Sequence, residues 1–285
     1  MKAKTLVTAF LAAALLGTAS MSVGAEETNG TVTVVAEKST LGQGFVIEPV
    51  RVEIHDGDTG IDIVKRAAEL SGAEVLSDDT GYGPYVTAFS DSDDSEVKLP
   101  AEIAAVVTEL TDRTAEGYLS AYDYTPESGW SYFVNDEYAM VGIGDYVPAD
   151  GDVIRFSFTV YGYGADLGVD NSSWGGAAAL ITPAAKADLT RLCAQFDSDD
   201  EAELAKYADA MAVLADYGAT QEEVDAAYAA LAGEVNGEEA GETAQEQETQ
   251  TDDKNSPDTG VEGVAVVGAA AILAGMALAV SKRRA

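Results

Sequence analysis

The stretch Gly129–Val160, GWSYFVNDEYAMVGIGDYVPADGDVIRFSFTV, constrains the fold of this chain more than any other. Trp130, Tyr132 and Val134 alternate with Ser131 and Phe133, the period of a strand with aromatic side chains on one face. Asn135-Asp136 offers a tight turn, because both residue types tolerate left-handed backbone. Gly142 and Gly144 interrupt the next apolar run, which predicts a bend or a close approach of the backbone to another group. Asp150-Gly151-Asp152 then turns the chain into Val153, Ile154, Phe156, Phe158 and Val160, a strand buried on at least one face.

Upstream, Thr31–Val35 is a β-branched run and reads as the first strand; a second strand ends near Ile54. Asp56-Gly57-Asp58 turns the chain, and Asp58 or Thr59 can cap a helix whose Ile61, Val64, Ala67 and Ala68 share one face. Gly72 is placed to end that helix, and Tyr82–Ala88 reads as another strand. Between residues 90 and 127 lies a longer insert, with a helix starting at Pro100 and a tyrosine-bearing arm through Tyr118, Tyr122 and Tyr124.

Three blocks of this region, in order, resemble the C-terminal domain of the transcobalamin and intrinsic factor family and its bacterial relatives. They are Val52–Val64, with Ile54-His55-Asp56-Gly57-Asp58-Thr59-Gly60; Gly81–Thr87, with Gly83-Pro84-Tyr85; and Trp130–Ile154, with Tyr132, Asn135, Gly142, Tyr146 and Asp150-Gly151-Asp152. The resemblance covers most of 31–165. It implies an α+β domain, a β-grasp-like mixed sheet packed on the helix that begins near Thr59, and a surface for a small planar ligand such as a corrinoid. On that reading Trp130, Tyr132, Tyr138, Gly142, Gly144 and Tyr146 are the ligand-facing positions, with His55 the side chain able to reach cobalt. No cofactor is required.

Gly162–Gly176 reads as a linker, followed by helical patterns at 181–196, 201–217 and 220–235. Thr220-Gln221-Glu222-Glu223 is a capping box. Ala219–Ala227 with Ala230-Leu231 resembles the third helix of the FIVAR module, so 181–235 is expected to be a small three-helix bundle. Residues 236–255 are rich in Glu, Gln, Thr and Asp without apolar period, an expected disordered linker.

Both ends carry targeting signals. Met1–Ala25 has Lys2 and Lys4, an apolar run Leu6–Leu16, and Val23-Gly24-Ala25 before an expected cleavage after Ala25. At the other end Ser256, Pro257, Asp258, Thr259 and Gly260 precede an apolar run at 261–280, which as a helix would span about 30 Å, and Lys282-Arg283-Arg284. This order resembles a sortase sorting signal. It implies a secreted protein of a Gram-positive bacterium, membrane-spanning before sorting and then joined to the cell wall, with sortase and peptidoglycan as partners.

Composition narrows function by exclusion. The chain has 50 acidic and 16 basic residues and a formal net charge of -34, so no basic stripe meets nucleic acid or anionic lipid. One histidine and one cysteine rule out a His-clustered zinc site and an intrachain disulfide. No nucleophile elbow accompanies His55, and Gly81-Tyr82-Gly83 lacks the lysine and helix of a phosphate loop. Asp91-Ser92-Asp93-Asp94 and Asp197-Ser198-Asp199-Asp200 have oxygen-ligand spacing for calcium but lack the glycine and distal glutamate of an EF-hand, and read as a loop and a helix cap. The expectation is a non-enzymatic surface protein. It binds either a small planar ligand or, as an adhesion or display module, a host protein, a glycan or a wall component.

Overall fold

The computed structural model describes residues 29–79, 81 and 83–235. Tyr82, the signal segment with its cleavage position Ala25, the linker from 236, the sorting motif 256–260 and the apolar run 261–280 lie outside the described residues. Among the described residues no helix is long and apolar enough to cross a membrane.

The architecture is mixed α+β, with two sheets and helices packed on them. β1 (Thr31–Glu37) and β2 (Phe45–Glu53) form an antiparallel hairpin with a bulge near Val34–Ala36. α1 (Gly60–Leu70) follows, then β3 (Val75–Asp79) and β4 (Pro84–Ser90), a short α2 (Ala101–Ala104), and β5 (Tyr118–Ser120). β6 (Gly129–Val134), β7 (Glu137–Tyr138) and β8 (Val153–Thr159) complete the strands. The five-stranded sheet has the order β2-β1-β8-β6-β7, with β8 parallel to β1 and antiparallel to β6. β3, β4 and β5 make a second, antiparallel sheet.

One face of the large sheet carries Val32, Val34 and Ala36 of β1, Ile154, Phe156 and Phe158 of β8, and Trp130 of β6. They meet Ile61, Val64, Ala67 and Ala68 of α1, and Val86, Phe89 and Leu119 of the second sheet. Each Val, Leu, Ile or Phe among them contributes about 1.5–3 kcal/mol on leaving water. α1 starts where the sequence placed it: the Thr59 side chain accepts from the third helical residue while Asp62 answers the Thr59 amide, a reciprocal cap.

The opposite face is also covered. α3 (Ala187–Gln195) lies against β2, β1 and β8, and α4 (Glu201–Ala215) and α5 (Gln221–Val235) pack on it. Their core holds Leu189, Leu192, Cys193, Leu214, Val224 and Leu231, with Phe45 of β2 packed against it. This is why β8 is buried at every position, including Arg155, Ser157 and Thr159, which alternate with its apolar residues. The Thr220–Glu223 box is formed as the sequence implies, and Asp200 caps α4 by accepting from Ala202 and Glu203.

Gly162–Gly176, expected as a linker, is folded into the same body. The buried Asp166 carboxylate accepts the amides of Val160 (2.7 Å) and Tyr161 (3.2 Å) and the Thr159 hydroxyl. Its backbone carbonyl accepts the Tyr217 hydroxyl at 2.7 Å, tying the turn to the α4–α5 connection.

The insert is short of the helix its periodicity predicts. α2 is a single turn; Ile103 is buried, while Val106 and Leu110 stay exposed. Polar contacts organise the rest of it. Lys38, 1% exposed, donates to both oxygens of Asp91 (2.8 Å each) and to Asp93 (2.9 Å). Arg113 completes the network, 2.8 Å from Asp91 and 2.9 Å from the Tyr124 hydroxyl. An ammonium thus stands between the carboxylates whose spacing suits calcium.

Candidate ligand face

β6 pairs with β8 along its whole length but with β7 only at Phe133 and Val134. Along the rest of that edge, side chains replace a strand. The Tyr85 hydroxyl lies against this edge, 2.9 Å from where a Cβ on Gly129 would be. The Ala139 amide answers the Tyr132 carbonyl at 3.1 Å. A row of phenols follows this edge. Tyr122 and Tyr138 are close enough to Tyr85 to push its phenol up, after the larger effect of burial. Burial likewise pushes Tyr132 up to about 12, with Tyr138 and Asp145 adding to it. Tyr138 is itself raised by burial. Tyr85, Tyr132 and Tyr138 therefore keep their phenolic protons at ordinary pH.

Outward of the row, large apolar side chains face solvent. Tyr122 is 65% and Met140 78% exposed, with Tyr85, Tyr138 and Val141 also exposed. The surface is rigidly backed: the Tyr138 ring meets Phe133 edge-on at 5.6 Å, Tyr132 stacks on Phe156 at 5.6 Å, and Tyr132 donates its hydroxyl to the Val141 carbonyl. An exposed aromatic surface edged by phenol hydroxyls suits a planar ligand of low charge.

The residues singled out from the sequence divide between this face and its support. Tyr132 and Tyr138 belong to the row. Trp130 does not: it is 4% exposed, packed edge-on against Phe89 (4.7 Å) and Phe158 (5.2 Å), and its indole N–H donates to the Leu119 carbonyl at 2.9 Å. Gly142 sits in the exposed turn beyond Val141, its carbonyl accepting the amides of Asp145 and Tyr146. Gly144 does make a close approach, but to protein: a Cβ there would lie 2.5 Å from the Pro84 ring. Tyr146 donates its hydroxyl to Asp152, and its phenol is pushed up by burial and by that carboxylate.

The Ile143 and Tyr146 carbonyls accept the first amides of α1, from Ile61 (3.1 Å) and Gly60 (2.8 Å). The 142–146 loop is thus a cap for α1, answering donors the helix itself leaves open. Gly60 permits this, since a Cβ would meet Ile143 at 2.6 Å. His55 lies in the turn before α1; its amide donates to Asp58 (2.7 Å) and its Nε2 is 3.9 Å from the Glu53 carboxylate. Tyr85, Tyr122, Met140 and Val141 are the members that sequence reasoning did not select. Tyr85 stood in a family-like block and Tyr122 in the tyrosine arm, but periodicity alone says nothing about which of them turn outward. Tyr122 does so through a left-handed backbone (φ 70°).

Among the described residues no group of three or more His, Cys, Asp or Glu is placed to hold a metal. Cys193 is buried, its thiol pushed up to about 12.

Comparison with known proteins places this face in context. A family model described as "Domain of unknown function (DUF4430)" matches residues 114–160, which run from β5 through β8. The match thus includes β6 and the 139–148 loop. Among solved structures, haptocorrin in complex with Cbi is similar at 14% identity and a TM-score of 0.29, over 47% of this chain and 26% of that one. This chain spans about a quarter of haptocorrin's length. No curated protein matches it.

Proposed function

We propose that this chain is a non-enzymatic binding protein that takes a small planar ligand of low charge on the tyrosine row beside β6. One arrangement carries the reading: Tyr85, Tyr122 and Tyr138 stand with Met140 and Val141 on an exposed face whose backing groups are packed and hydrogen-bonded. Exposed aromatic and thioether groups gathered on a rigid frame suit recognition of a flat apolar partner. A corrinoid is the first ligand to test, because the ordered blocks at 52–64, 81–87 and 130–154 resemble the transcobalamin C-terminal domain.

The finer assignments belong to the same proposal. The β2-β1-β8-β6 order, with β1 parallel to β8 and α1 across one face, supports a β-grasp reading of the first part. The FIVAR-like reading of the bundle rests on the sequence at 219–231. Secretion, sorting by sortase and attachment to peptidoglycan rest on the sequence at 1–25 and 256–285.

The test is spectroscopic. Cobalamin and cobinamide are titrated with the purified chain and their absorption bands followed. Shifted, saturable bands support a corrinoid. Unchanged bands with both, at protein in large excess, remove the corrinoid and bring forward adhesion to a protein, glycan or wall component.

A further inference from the structure

A concavity that shares no lining residue with the tyrosine row lies between α3, α5 and the β6–β7 turn, with a volume of about 300 Å³. Its floor is apolar, from the buried Leu189 and Val224. The exposed Tyr228 forms one wall, and the carboxylates of Asp188 and Asp225 stand on the rim. The one cation lining it, Arg191, is already committed: it donates to Asp188 at 2.6 Å and to the Gly151 carbonyl at 3.0 Å. Asp225 takes a neutral donor, the Gln221 amide at 2.9 Å, so its charge is not neutralised there.

We propose that this groove receives a lysine side chain from a partner protein. The methyl-lined floor matches the four-carbon stem, which buries along apolar surface while its ammonium stays at the rim. The Tyr228 ring offers a cation–π face, and Asp225 a charge-assisted hydrogen bond. The net charge of -34 draws a cationic segment toward the molecule from a distance and turns an anionic one away. This site is separate from the tyrosine row and does not depend on the ligand assigned there.

The probe is a capped hexapeptide with one central lysine among alanine and leucine, titrated into the full chain while amide resonances are followed. The lysine peptide is expected to move the resonances of Leu189 and Val224, and a norleucine peptide of the same length to move them little. Tyr228→Ala is expected to weaken the lysine peptide about three- to fivefold, with Tyr228→Phe close to the unaltered chain. Asp225→Asn is expected to weaken it about two- to fivefold. Glu203→Gln, a partly exposed acid on α4 outside the groove, serves as the control. Equal binding of the norleucine peptide, unmoved groove resonances, or equal weakening by Glu203→Gln would each overturn the proposal, the last by reducing the effect to general charge attraction.

Discussion

The Asp136 carboxylate accepts the backbone amide of Ala187 at 2.8 Å, and with its other oxygen that of Lys186 at 3.0 Å. A hairpin turn of the sheet thereby caps the first helix of the bundle, which has no side-chain cap of its own from Lys186. Asn135 and Asp136 both hold left-handed backbone (φ 49° and 68°), which turns the carboxylate toward α3. Helix dipole and hydrogen bonds act in the same sense here, since an anion is favoured at a helix N-terminus.

Asp136→Ala is expected to lower stability by roughly 1–2 kcal/mol, the range for losing a helix cap. Asp136→Asn, which retains an acceptor, is expected to lose less. Urea unfolding midpoints of the two variants provide the comparison. An Asp136→Ala midpoint equal to that of the unaltered chain would mean that packing alone holds α3 to the sheet.

Lys38 supplies the second prediction. It is buried between Asp91 and Asp93, so removing its charge leaves the Asp91 carboxylate to Arg113 alone and takes the ammonium from Asp93. Lys38→Met is expected to cost about 3–5 kcal/mol, the usual scale for breaking a buried ion pair. Excess calcium is expected to leave the melting temperature of the unaltered chain unchanged, because the ammonium holds the cation position. A calcium-dependent rise would show that Lys38 gives way to the metal.

Asp166 makes stability depend on pH. Burial raises its carboxyl to about 6, against hydrogen bonds from Thr159, Val160, Tyr161 and its own backbone that lower it. A folded value above the unfolded one means the contribution is fully present below the unfolded value near 4 and is lost as pH rises through about 6. Acidifying from pH 7 to pH 4 should therefore recover up to roughly 3 kcal/mol from this group. Asp58, Asp62 and Asp93 have lowered values, the last about 2, so they oppose further acidification below pH 4. The expected profile has its maximum between pH 4 and 6, and Asp166→Asn should flatten the limb above it. Urea midpoints across that range that fall on acidification from pH 7 to pH 5 would contradict the assignment.

The sorting reading makes a prediction at residues outside the described structure. Thr259→Ala removes the residue after which the motif would be cut, and is expected to leave the chain in the membrane or the medium. Release of the variant by wall-digesting enzymes alone would refute covalent sorting.

Local signals were legible because their partners are near in sequence. Thr59 and Thr220 announce helix starts three residues from the acids that complete them, and Asn135-Asp136 announces a turn. What escaped depends on partners far along the chain. Asp91 resembles part of a calcium loop until Lys38, 53 positions away, is seen to fill it. Gly144 reads as a close approach, and is one, but nothing local says that Pro84 is the group approached. Trp130 and Tyr132 share a strand period, yet Trp130 is closed in by Phe89 and Leu119 of the second sheet, while Tyr132 packs only partly against the core and joins the tyrosine row. The 162–176 segment is rich in glycine like a linker, but the buried Asp166 carboxylate ties it to Thr159, Val160 and Tyr161, and the Asp166 carbonyl ties it to Tyr217, 51 positions away.

The tyrosine row gives the last prediction. Tyr122 is mostly exposed and Tyr138 stands at the sheet edge, so neither supplies much of the core. If the row is the binding face, Tyr122→Ala and Tyr138→Ala should each weaken the ligand by roughly 1–2 kcal/mol, as for a modest anchor, with unfolding midpoints nearly unchanged. Trp130→Ala should behave oppositely, costing roughly 3–5 kcal/mol of stability through the cavity it opens between the sheets. His55→Ala separates two roles for the imidazole. As an axial ligand to cobalt it would alter the absorption bands of a bound corrinoid, whereas as a neighbour of Glu53 it would leave the bands and the affinity alone. Binding and unfolding measured on the same four variants decide the matter: affinity lost at Tyr122 and Tyr138 with stability intact locates the face, and affinity unaffected by both moves it elsewhere.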